Sequence, residues 1–150
     1  MKSLLKTLTL FYITALTCLA AGEPEPNVDK NGMGIQGYDP VAFFTDGKPV
    51  LGKEEFHATY NSVTYRFASA EHQAMFEKEP AKYEPQFGGY CAYGVSKGHL
   101  VPGKVDAFQI VDGHLLMQYD SSVRDKFNED QQANLEAANK KWRILHDKDK

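Results

Sequence analysis

The chain has 150 residues, enough for one domain with a sizeable core. Lys and Arg number 17 against 20 Asp and Glu, giving a formal charge of −3. That balance argues against a nucleic-acid or anionic-membrane partner.

The first residues read as a targeting segment. Lys2 and Lys6 precede the apolar run "LTLFYITALTCLAAG", which ends in small residues. A basic start, a short apolar centre and a small-residue end mark a secretory signal, expected over 1–21. The run is too short to span a bilayer comfortably, which takes about 20 residues. Cys18 leaves a lipoprotein signal open, although Thr17 stands where Gly, Ala or Ser is wanted. An exported protein, periplasmic or secreted, is expected, with membrane contact only if this segment is retained or lipidated. Its removal takes Lys+Arg from 17 to 15 against 20 acids, so the charge becomes about −5. The mature chain then holds one cysteine, Cys91.

Residues 22–34, "GEPEPNVDKNGMG" from Gly22, are polar with no apolar period, and read as a flexible linker. The folded part is expected over 35–146. Asp39-Pro40 signals a turn, Val41–Phe44 a short buried strand, and Asp46-Gly47 another turn. In "EFHATYNSVTYRF", Phe56, Ala58 and Tyr60 alternate with polar residues, as do Val63, Tyr65 and Phe67. A two-residue turn at Asn61-Ser62 puts all six on one face and His57 opposite Arg66 on the other. Ser69 is a natural N-cap for a helix over "AEHQAMFEKE", stopped by Pro80. His72, Met75 and Phe76 share one side of it, so His72 is expected to face inward. A short turn, "PAKY", follows.

"DAFQIVDGHLLMQY" reads as a second hairpin turning at Asp112-Gly113. Phe108, Ile110, Leu115, Met117 and Tyr119 form its expected apolar face. Ser121 or Ser122 is expected to cap a turn through Phe127. A last helix follows from about Asp130, with Leu135, Ala138, Trp142 and Leu145 as its buried stripe. The fold class is therefore α+β: a small antiparallel sheet of hairpins, helices on one face and a C-terminal helical segment. No phosphate loop or dinucleotide fold is indicated.

Three stretches, "YDPVAFF" at 38–44, "YRFASAEHQAMFEKEPAKY" at 65–83 and "GGYCAYGVSKG" at 88–98, together resemble the YHS domain family. The resemblance covers roughly 35–145 and is strongest to exported, single-domain bacterial members. Metal-linked members carry cysteines at three places that this resemblance maps onto Ala42, Ala68 and His72. It thus implies metal binding while removing two of the three soft ligands.

His72, Cys91 and Met75 remain as candidate ligands for copper or zinc, imidazole and soft sulfur together suiting such ions. The 19-residue spacing between His72 and Cys91 neither demands nor forbids an approach. The alternative is a non-catalytic accessory or interaction module with no ligand and a structural Cys91. A thiol enzyme, with Cys91 beside a His base and Lys97 lowering its pKa, lacks a third orienting residue. A small molecule held among the tyrosines is also open.

Overall fold

The computed structural model describes residues 24–145; the expected signal segment and His146 lie outside them. The fold is α+β. Two hairpins, β1 (Lys53–Tyr60) with β2 (Val63–Phe67) and β3 (Lys104–Val111) with β4 (His114–Gln118), form separate two-stranded antiparallel sheets. The helices are α1 (Ala42–Thr45), α2 (Ala70–Lys78), α3 (Pro80–Tyr83), α4 (Ala92–Ser96), α5 (Ser121–Glu129) and α6 (Gln131–Leu145). None is long and apolar enough to cross a membrane.

The first hairpin follows its alternation. Tyr60 pairs with Val63, Ala58 with Tyr65, and His57 with Arg66 on the exposed face. Asn61 and Ser62 both take positive φ, +47° and +65°, which suits the right-handed twist of a tight hairpin. The same register would set Phe56 opposite Phe67, but a bulge intervenes and Phe67 pairs with Lys53. Ser69 caps α2, accepting from the His72 N–H at 3.2 Å. Phe76 then enters a cluster with Tyr60, Tyr65 and Phe67, at ring separations of 6.2, 5.2 and 5.1 Å.

Three local expectations give way. Val41–Phe44 is not a strand; the backbone turns at 40–41 into α1, with Pro40 fixing φ and the Asp39 carboxylate accepting from the Val41 and Ala42 N–H groups. Four apolar residues in a row carry no period to distinguish the two. In the second hairpin, Ile110 and Tyr119 are exposed while Leu116 and Gln118 are buried. The pairing slips between Lys104 and Gln109, and β4 is covered on both sides. Asp120, not Ser121 or Ser122, caps α5, accepting from the Val123 N–H at 2.8 Å.

The stretch expected as a linker lies against the body from residue 24 onward. Gly34 N–H donates to Thr64 O and Thr64 N–H to Gly32 O, both at 2.9 Å, so the arm extends the edge of β2. Asn27 N–H donates to Gly88 O at 2.8 Å. Backbone N–H groups of Met33 and Asn31 donate to Asp29 and hold its carboxyl below the usual range. Side-chain polarity alone does not reveal these bonds, since they run through the backbone.

Two apolar clusters result. One gathers Val41, Phe43, Tyr65, Phe67, Phe76, Leu115 and Met117. The other gathers Phe87, Val95, Val111, Leu116, Phe127, Trp142 and Leu145. β4 contributes to both through alternate residues. Phe76→Ala, at 1% exposure, is expected to cost about 3–5 kcal/mol in urea-unfolding free energy. His57→Ala, on the exposed face, is expected to change it by less than about 0.5 kcal/mol.

Candidate functional site

His72 sits in the first turn of α2, where the Ser69 cap fixes the backbone. Its ring is turned toward Asp39, with Nδ1 2.6 Å from Oδ2. Asp39 is fully buried and carries four hydrogen bonds. Oδ1 accepts from Val41 N–H at 2.8 Å and Ala42 N–H at 3.3 Å. Oδ2 accepts from Ala68 N–H at 2.8 Å and from His72. A carboxylate accepts only, so Nδ1 is the protonated nitrogen of the ring. Nε2, on the other side of the ring, lies 3.3 Å from Thr45 Oγ1. That hydroxyl also lies 2.9 Å from Asp46 Oδ1. The sequence showed Asp39 only as a turn residue; an Asp before Pro-Val at a helix start was the available sign of a cap.

Cys91 lies elsewhere. It is buried and opens α4, with Sγ donating to Gln118 Oε1 at 3.3 Å and accepting from Gly94 N–H at 3.4 Å. Tyr93 N–H also donates to Gln118 Oε1, at 3.1 Å. Two donors on one oxygen fix the orientation of that amide. Its Nε2 is buried and has no hydrogen-bond partner among the described residues. Lys97 Nζ stands over the Tyr93 ring, 4.8 Å from its centroid, and donates to Asn134 Oδ1 at 3.3 Å. It is engaged away from any role at the thiol.

The candidate ligands therefore have separate surroundings. α2 packs on β1, β2 and α3, whereas α4 packs on β4, α5 and α6. Met75 packs against the first apolar cluster. Among the described residues, no group of three or more His, Cys, Asp or Glu is placed to hold a metal ion. Ala42 and Ala68, which the YHS resemblance sets at cysteine positions, lend Asp39 their backbone N–H groups instead.

No family model matches the chain, no curated protein matches it, and no solved structure matches it.

Two outcomes follow from the geometry. Asp39→Asn replaces an acceptor by an NH₂ facing donors and is expected to cost about 3 kcal/mol in chemical denaturation. In a chain carrying Cys18→Ser, a thiol reagent is expected to label Cys91 only at the rate of unfolding, because the sulfur is 1% exposed at the residue level. Immediate stoichiometric labelling of the folded protein would contradict a structural thiol.

Proposed function

We propose that this is a small exported binding module for an exchangeable transition-metal ion, with His72 as its primary ligand. The Asp39–His72 hydrogen bond carries the reading. Metal-binding histidines characteristically donate their second ring N–H to a carboxylate, which fixes the tautomer and raises ligand basicity. Asp39 does this for His72 and, with four bonds of its own, stays out of the ligand set. The Asp46 carboxylate, whose Oδ1 lies 2.9 Å from the Thr45 hydroxyl that stands 3.3 Å from Nε2, is the natural second donor.

Imidazole with carboxylate suits zinc or copper(II). Two protein donors leave the remaining positions to water, which makes the ion exchangeable. The resemblance to YHS domains supports the same place, since His72 stands at one of that family's cysteine positions. Cys91 and Met75 are left out of the set, as their partners lie in the packed interior. The accessory-module reading shares this structural Cys91 and differs in having no metal.

Calorimetric titration of the purified chain with Zn²⁺ and Cu²⁺ tests the assignment. One ion per chain is expected, with binding lost in His72→Ala and weakened about tenfold in Asp46→Asn. Asp46 is exposed, so its variant retains the fold. Cys91→Ser is expected to bind as the parent does. Undiminished binding in His72→Ala, or loss in Cys91→Ser alone, would overturn the ligand set; no binding by the parent would leave the ligand-free module standing.

A further inference from the structure

A cleft of about 700 Å³ opens on another part of the surface, where neither His72 nor Cys91 takes part. One wall is the arm at Pro24–Pro26; the hairpin turn at 61–63 and the segment 84–88 form others, and α6 closes the far side. The arm is pinned there by Asn27, which donates from its backbone to Gly88 O and from its side chain to Gly89 O at 3.3 Å. Gly88 allows this approach. It takes φ +58°, and a Cβ on it would lie 3.0 Å from Pro26 Cα and 3.2 Å from Trp142 Cη2. The indole edge thus borders the cleft beside the arm.

The lining has a definite chemistry. Asn61, Gln86 and Asn139 present carboxamides, each both donor and acceptor. Asn61 is oriented by Glu84, to which its Nδ2 donates at 3.1 Å. Tyr65 adds a phenol at the base; burial, reinforced by the Glu84 charge, pushes its pKa up, so it stays a neutral hydroxyl at physiological pH. Charge is mixed, with Glu25 and Glu84 against Arg143, so there is no cationic focus for a phosphate or polyanion. Apolar ligands would strand the amides without partners. The rings of Trp142 and Phe87, 6.0 Å apart, supply an apolar border for ring C–H groups.

We propose that this cleft binds a neutral, hydroxyl-rich ring compound, a mono- or disaccharide. Its volume lies within the roughly 300–1,000 Å³ usual for small-molecule sites. Hydroxyls that both donate and accept match carboxamides and a phenol that do the same. This site is independent of the metal reading and stands or falls apart from it.

Trp142 is the one tryptophan of the chain, so its emission reports on the cleft directly. Glucose, N-acetylglucosamine, maltose and cellobiose are titrated against the purified chain, with inorganic phosphate and arginine as charged controls. A saturable change in emission is expected with at least one saccharide. Its dissociation constant is expected to rise at least tenfold in Asn139→Ala, at an exposed position, and in Asn61→Gly, which keeps the positive φ of the turn, and to be unchanged in His57→Ala on the exposed face of the first hairpin. Silence with all four sugars, equal affinity in both Asn variants, or tighter binding of phosphate or arginine would overturn the proposal. Should Gly88→Ala bind sugar as the parent does while remaining folded, the arm would be excluded as part of the site.

Discussion

The buried carboxylate of Asp39 is the constraint on which this architecture turns. Removing a charge from water costs several kcal/mol unless bonds offset it. Here four donors do so, and they come from three separate pieces of chain: the start of α1, the residue after β2, and the first turn of α2. One side chain thereby fixes the entry of the chain into α1, the exit from the first hairpin and the orientation of the His72 ring. The same bonds that stabilise the fold engage one imidazole nitrogen and leave the other beside the Thr45 hydroxyl. Structure and candidate chemistry have a common cause.

β4 plays the complementary part in packing. Isolated two-stranded hairpins are marginal in water, and the described residues form two of them. The first is stabilised by α2, whose Phe76 meets three rings of the sheet face. The second is stabilised by burial on both sides. Leu115 and Met117 enter the cluster beneath α2, while Leu116 enters the one beneath α6. A strand shared in this way separates the surroundings of His72 from those of Cys91. It also explains the Gly- and Tyr-rich run at 88–98. Cys91 N–H bonds to Val101 O at 2.8 Å and its thiol to Gln118, so the run threads α4 against β4 and shapes the interior.

Much of the local structure was legible in the residues. Asn61-Ser62 and Asp112-Gly113 mark turns because few residues accept positive φ, and alternation around them sets the pairing near each turn. Ser69 announces α2, and the stripe Leu135, Ala138, Trp142 and Leu145 announces α6. Agreement fades with distance from the turn. Both hairpins slip before their far ends, at Lys53–His57 and at Lys104–Gln109, because a bulge shifts the face without altering composition. Of the site, His72 was visible as an inward histidine at a helix start, while Asp39, 33 residues away, was not visible as its partner.

By itself, then, the sequence determined the α+β class, the turns at Asn61-Ser62 and Asp112-Gly113, the Ser69 cap, the stop of α2 before Pro80, and the helical periods. These depend on contacts within a few residues, where propensity and periodicity act. Tertiary structure alone decided that the arm at 24–34 lines β2 and the cleft, and that β4 is buried twice. It also decided the pairing of His72 with Asp39 and of Cys91 with Gln118. Each of these depends on which distant group meets a donor, an acceptor or an apolar face. Spacing along the chain does not encode that meeting; the packing of two clusters on one strand does.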